Sequence, residues 1–173
     1  MVYEKICPQL HLDDRGSLFE IYSAAQTYKV SPKHIYISKS TYGTVRGFHQ
    51  QLEVPQKKMV FCLSGNVADF GLNIDPLSND FGAVNHHILS GEAGEGVIIG
   101  RRVAHAFECL SDECTLLYIC DDHYAPTKQL SINPLDEPFS SLWKINSPTL
   151  SPKDREGVSL QTAKQILFQN LRK

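Results

Sequence analysis

RGFHQQ, residues 46–51, puts an arginine, a glycine, an aromatic, a histidine and two glutamines into six positions. Three readings compete for it: a solvated turn, half of a metal site, or the start of an active site. What decides between them is the architecture on either side.

From about residue 18 to residue 120 the chain reads as short strands punctuated by turns. The runs are 18–22 (LFEIY), 34–39 (HIYISK), 58–63 (KMVFCL), 66–74 (NVADFGLNI), 84–89 (VNHHIL), 97–99 (VII), 103–110 (VAHAFECL) and 115–120 (TLLYIC). Turn residues such as Asp14-Arg15-Gly16, Ser64-Gly65-Asn66 and Asp75-Pro76 separate them. Many short strands at such spacing predict an all-β sandwich or barrel. The tail has another period. In 159–173, Leu160, Ala163, Ile166, Leu167 and Leu171 recur at helical spacing, which predicts an amphipathic helix over about 159–172 that caps another layer. Ahead of it, Ser151-Pro152-Lys153-Asp154 reads as a helix start, with a serine cap, proline in the first turn and a carboxylate in the third position.

Side chains alternate between the faces of a strand. Val103, His105, Phe107 and Cys109 share one face; Leu116, Tyr118 and Cys120 share another; Lys58 goes with Val60 and Cys62. Each set mixes apolar residues with one titratable group. An unpartnered buried lysine is costly, so three such faces predict a polar-lined cavity inside the barrel, where a ligand sits. Taken singly, each group also fits an edge position or a side chain that snorkels to water.

The bulk numbers narrow the classes. At 173 residues the chain is long enough for one domain, 1–173, with a sizeable core. A net charge of −2, and no long block of like charge, speak against a nucleic-acid or membrane-surface binder. The basic bunches are Lys57-Lys58, Arg101-Arg102 and Arg172-Lys173. No apolar run approaches a membrane span or a signal peptide. Five cysteines without C-x-x-C spacing fit reduced thiols in a cytoplasmic protein. Cys62 and Cys120 read as small core hydrophobes.

The metal reading of RGFHQQ fails on its neighbours. His49-Gln50-Gln51, Lys58, Gly65 and His105 resemble the double-stranded β-helix (cupin, jelly-roll) arrangement, in which two histidines and a glutamate join a later histidine around a metal. Here Gln51 replaces the second histidine and Lys58 the glutamate. An ammonium repels a cation, so the expectation is a cupin pocket reused with no metal and no cofactor. His86-His87 is an adjacent pair whose rings point to opposite faces, and it reads as surface.

The order of motifs is specific. Asp14-Arg15-Gly16, Phe19-Glu20, Ser38-Lys39-Ser40, Arg46 to Gln51, Lys58, Gly65 to Asp69, Ala104-His105-Ala106-Phe107, Leu117-Tyr118, Tyr124-Ala125-Pro126 and Leu150 to Asp154 follow one another. Over nearly the whole chain they resemble the dTDP-4-dehydrorhamnose 3,5-epimerase family. The resemblance implies a metal-free cupin homodimer with short C-terminal helices, acting on a dTDP-, CDP- or GDP-linked 4-keto-6-deoxy sugar in pathways to bacterial surface polysaccharides (lipopolysaccharide O-antigen) or glycosides. It implies His49 as base, Asp154 as its dyad partner, Tyr118 as the acid on the opposite sugar face and Lys58 as enolate stabiliser. Arg46 and His105 match groups near phosphates and sugar, and Arg15 and Glu20 match nucleotide contacts offered across the dimer. Gln51, the inner-face carboxylate Asp69 and His123, which stands where a base-stacking aromatic is expected, complete the candidate substrate-binding set.

The chemistry supports these roles independently. Taking a proton from carbon beside a ketone needs a base near neutral pKa, and histidine starts at about 6.5. A buried carboxylate steadies the imidazolium. A desolvated lysine is a preorganised partner for an enolate oxygen. A phenol, pKa about 10, is a fit donor to a carbanion. Taken alone, Asp154 is a helix-start carboxylate and Tyr118 a core tyrosine. The departures, at Ile99-Gly100-Arg101-Arg102, Asn73-Ile74-Asp75, Tyr36-Ile37 and His123, fall around recognition of nucleotide and sugar. Two other outcomes share the pocket: a ketoisomerase moving the carbonyl between C3 and C4, and a non-catalytic sugar-nucleotide-binding cupin.

Overall fold

The computed structural model describes residues 1–171; the last residue of the expected helix, 172, and the Arg172-Lys173 pair lie outside the described residues. In chain order the strands are β1 (Tyr3–Ile6), β2 (His11–Asp13), β3 (Gly16–Leu18), β4 (His34–Thr41), β5 (Val45–Gln51) and β6 (Lys58–Ser64). They continue as β7 (Asn66–Asn73), β8 (Val84–Ser90), β9 (Gly96–Ile99), β10 (Val103–Cys109), β11 (Glu113–Cys120) and β12 (Gln129–Ser131). The helices are α1 (Ile21–Thr27), α2 (Pro152–Arg155) and α3 (Leu160–Asn170).

Two five-stranded antiparallel sheets face each other, in the orders β1-β9-β6-β11-β4 and β12-β5-β10-β7-β8, and β2-β3 form a separate hairpin. This is the expected cupin jelly roll. The space between the sheets is filled by Val60, Cys62, Val97, Val103, Phe107, Leu116 and their neighbours. Ala104 and Ala106 point the other way, into a second apolar layer with Phe48, Phe70, Phe139 and Trp143. The alternation assigned to 103–110 therefore holds. Ala163 of α3 is fully buried in that outer layer, with Leu160, Ile166 and Leu167 packed around it, so the tail helix does cap a sheet. Its N-cap is Ser159, whose hydroxyl accepts from the Thr162 amide.

The run 18–22 is not a strand. Leu18 ends β3, and Ile21 and Tyr22 open α1. The following Ala24-Ala25-Gln26 favours helix, and Ile21, Ala24, Ala25 and Tyr28 cover the outer face of the first sheet against Met59, Phe61 and Ile98. The pair His86-His87 does split across β8: His86 is exposed on Phe70, but His87 is half-buried, its ring stacked on Tyr3 at 5.3 Å.

RGFHQQ lies within β5, a central strand of the second sheet. Opposite it, β10 pairs His105 with His49 and Phe107 with Arg46. Three steps on one strand thus oppose two on the other, a β-bulge with Gly47 inside it. Gly47 has φ +113°, and a Cβ there would stand 2.3 Å from the His105 carbonyl oxygen, so the bulge requires glycine. It also resets the alternation: Phe48 is buried in the outer layer, while Arg46 and His49 both face the inside of the barrel.

Candidate active site

The open end of the barrel holds a cavity of about 500 Å³. Of the residues singled out in the sequence, His49, Asp154, Tyr118, Lys58, Arg46, Gln51 and His105 line it. They come from five elements: β5, β6, β10, β11 and α2.

His49 lies on one wall. Its Nε2 is 2.5 Å from Oδ1 of Asp154. Asp154 is the third residue of α2, and Ser151 caps that helix by accepting from the Asp154 amide. The same Ser151 hydroxyl donates to Oδ2 of Asp154 at 2.7 Å. One serine thus starts the helix and aims the carboxylate. Burial opposes ionisation of Asp154, but the hydrogen bond and charge of His49, the Ser151 hydroxyl and the Gly47 backbone outweigh it and hold its pKa below the usual carboxylate value. An ionised Asp154 accepts a hydrogen bond from Nε2–H of His49 and leaves Nδ1 free to take a proton.

Lys58 is 6% exposed. Its ammonium has no hydrogen-bond partner among the described residues, yet no fully enclosed side-chain nitrogen or oxygen there is unsatisfied, so Nζ meets the cavity. Burial pushes its pKa down, against the pull of Cys120 and Asp69. Lys57 points the other way and donates to the Tyr28 carbonyl oxygen. Tyr118, 5% exposed, contacts Ser38 Oγ at 3.4 Å. Burial, with Tyr36 beside it, drives its pKa well above the usual phenol value, so it stays protonated as a donor. Arg46 donates to Ser40 Oγ at 2.9 Å and to the Lys39 carbonyl at 3.1 Å, which fixes its guanidinium at the rim.

Five candidates stand differently. Asp69 has no exposed surface; it sits behind His105, accepting from that ring at 2.7 Å and from Tyr3 at 2.8 Å. Gln51 is consumed by the backbone of Val54, His123 and Ala125. The exposed His123 is outside the cavity and offers it only a carbonyl held by Gln51 and Gln56; Tyr124 is the aromatic at the rim. Arg15 and Glu20 lie outside the cavity of their own chain, Arg15 on the exposed β2-β3 hairpin beside Asp13.

The sequence reading missed His34, Tyr36, Gln56, Gln129 and Lys153, all of which line the cavity. His34, Tyr36 and Ser38 alternate along β4 and face inward, while Ile35 and Ile37 are 57% and 56% exposed. Period two was visible there, but hydrophobicity alone favours the wrong face.

Base, buried ammonium and protonated phenol around one barrel cavity define an enzyme that moves protons at carbon, and a carbohydrate epimerase is the class that fits fold and site together. A family model described as dTDP-4-dehydrorhamnose 3,5-epimerase matches residues 3–162, and the chain belongs to that family. The dTDP-4-dehydrorhamnose 3,5-epimerase of Shigella flexneri is 33% identical over 156 residues, spanning 87% of this chain and 86% of that protein. ChmJ, a 3'-monoepimerase from Streptomyces bikiniensis solved with dTDP-quinovose, superposes with a TM-score of 0.87 at 28% identity, over 98% of this chain and 91% of that one. The epimerase RmlC of Legionella pneumophila, solved with dTDP-4-keto-L-rhamnose, gives 0.86 at 30% identity, over 95% and 91%.

Proposed function

We propose that this chain epimerises a dTDP-linked 4-keto-6-deoxy sugar at carbon next to the ketone. His49 Nδ1 takes the proton at C3 or C5, with Asp154 steadying the imidazolium through Nε2. The electron pair moves onto the ketone oxygen as an enolate, which the Lys58 ammonium stabilises. Tyr118 delivers a proton to the same carbon from the other side of the ring, and the configuration inverts. Tyrosinate and imidazolium then exchange protons with solvent, so no net change of atoms occurs. The observation that carries this reading is the His49–Asp154 pair sharing one cavity with a protonated tyrosine and a buried lysine that has no partner among the described residues; a pocket that only binds needs no such set.

The experiment is turnover of a dTDP-4-keto-6-deoxyhexose in deuterium oxide, read by NMR. Deuterium at C3 or C5 with inverted product is the expected result. Absence of wash-in overturns it, and a carbonyl moved to C3 identifies a ketoisomerase instead.

We further propose a homodimer in which Arg15 and Glu20 reach the partner's nucleotide. The β2-β3 hairpin is exposed throughout, with Leu12 and Leu18 open to solvent, a surface suited to burial against a second copy. Arg15→Ala should then raise KM and leave kcat near the wild-type value. The place of action we propose is the cytoplasm, in deoxysugar biosynthesis for surface polysaccharide such as O-antigen. All five cysteines are free thiols, and among the described residues no helix is long and apolar enough to cross a membrane.

A further inference from the structure

Behind the cavity wall lies a hydrogen-bonded line that the reaction above does not use. Tyr3 Oη donates to Asp69 Oδ1 at 2.8 Å, and Asp69 Oδ2 meets His105 Nε2 at 2.7 Å. All three are buried, at 5%, 0% and 5% exposure. The line is built into the fold. Tyr3 comes from β1 at the edge of the first sheet and crosses to the second, where its ring lies over Gly71; a Cβ on Gly71 would be 2.5 Å from that ring. Gly71 is the register partner of His105, and the His87 ring that stacks on Tyr3 belongs to the register partner of Asp69.

We propose that Tyr3 is a positioning residue for His105: by holding one oxygen of Asp69 it commits the other to the Nε2 proton, which fixes a neutral His105 with its Nδ1 lone pair turned into the cavity as acceptor for a sugar hydroxyl. A phenol can bond a carboxylate only as donor, and an ionised carboxylate then requires a donor from the imidazole. Nδ1 has no partner among the described residues, yet no enclosed polar side-chain atom is unsatisfied, so it reaches the cavity surface. The groups facing the ring are Asp69, Lys58, His49, Phe107 and Tyr118. Burial holds His105 below its ordinary pKa, Lys58 and His49 push the same way, and Asp69 does not outweigh them. A neutral imidazole with a fixed tautomer distinguishes a hydroxyl, which donates, from a ketone oxygen, which does not. His105 would therefore set which way round the sugar enters beside His49.

This deepens the epimerase reading and rests on it for the sugar, but the tautomer is measurable without substrate. Long-range ¹H–¹⁵N correlation on the ¹⁵N-histidine-labelled full chain at pH 7, with His105 assigned through His105→Gln, should show Nε2 protonated and Nδ1 bare. In Tyr3→Phe the Asp69 carboxylate, no longer held at Oδ1, can turn away from Nε2, and the two shifts should converge as tautomers mix. A wild-type Nδ1 that carries the proton, or a Tyr3→Phe pair that does not move, overturns the proposal. Where Tyr3→Phe fails to fold, Asp69→Asn decides: its amide donates to Nε2, so the pair should reverse, and a pair that stays as in wild type overturns the proposal. In turnover, Tyr3→Phe should raise KM about fivefold, the effect of one weakened hydrogen bond, with kcat nearly unchanged. Equal losses in both, or none, speak for a merely structural Tyr3. A wild-type chain without deuterium wash-in removes the epimerase reading and leaves the spectroscopic result standing.

Discussion

The phenol of Tyr36 lies flat on the phenol of Tyr118, ring centroids 4.4 Å apart and planes 4° from parallel. The two are register partners on β4 and β11, so the stack is a cross-strand pair inside the barrel. It leaves Tyr118 one place to stand. If Tyr118 returns the proton, Tyr118→Phe should cut inverted product by about 10²-fold or more while deuterium exchange by His49 falls far less. Tyr36→Leu frees the Tyr118 ring without removing its hydroxyl, and should give a smaller loss in the same direction. Product and wash-in measured in one NMR time course check both.

The His49–Asp154 pair predicts an acid limit to stability. The folded-state pKa of Asp154 lies below its unfolded value, which is about 3.9. The native protein therefore binds fewer protons at this group. Its stabilisation is complete above the unfolded value and is lost as pH falls through the folded one. Asp154→Asn should cost roughly 2 kcal/mol at neutral pH, the range of a charge-assisted hydrogen bond, or about 5 °C in a chain of this size. Melting curves of wild type and variant should converge below about pH 3.9.

Lys58 predicts the opposite trade. Its folded pKa is depressed chiefly by burial, so the charged form costs stability wherever the lysine is ionised. The cost is relieved as pH rises toward the unfolded value, about 10.4. Lys58→Met should raise Tm by a few degrees at pH 7 and lower turnover at least about 10²-fold. The gain in Tm should shrink as the buffer approaches pH 10. A variant both less stable and inactive would mean that the lysine is paired in solution.

What was legible in the sequence follows from which forces act locally. Strands β6 to β11 are readable because each carries its own alternation or, as in β9, a short apolar run bounded by turns, and a face such as Val103-His105-Phe107 needs no partner to be recognised. Strand β1 was missed: YEKI is too short and polar to declare itself, and it becomes a strand by pairing with β9. The helix α1 was mistaken for the end of a strand because LFEIY straddles a boundary that tertiary packing against Met59 and Phe61 sets. In the site, His49, Lys58 and Tyr118 were found by residue type and motif order. Tyr36 and His34 were not, because Ile35 and Ile37 beside them are the residues left facing out. Asp69 looked like a wall residue, since strand parity says which face a side chain takes but not what stands in front of it.

Arg46 and His49 depend on one backbone feature, the bulge at Gly47. Regular alternation places Arg46 with Phe48 and His49 with Gly47, so the guanidinium and the imidazole would face opposite sides. The bulge at Gly47 rotates one relative to the other, and both reach the cavity. Gly47→Ala meets two obstacles: φ of +113° is strained for any L side chain, and the new Cβ would press within 2.3 Å of the His105 carbonyl oxygen and 2.7 Å of the Ala106 Cα. Both are backbone atoms in the middle of β10, which cannot step aside without breaking its pairing with β7. The variant should lose about 3 kcal/mol or more in urea unfolding. Because relief of the clash moves β5 at the residue before Phe48, kcat should fall by more than the folded fraction explains. A Gly47→Ala protein that keeps wild-type stability and kcat would show that the bulge is not what turns Arg46 and His49 to the same side.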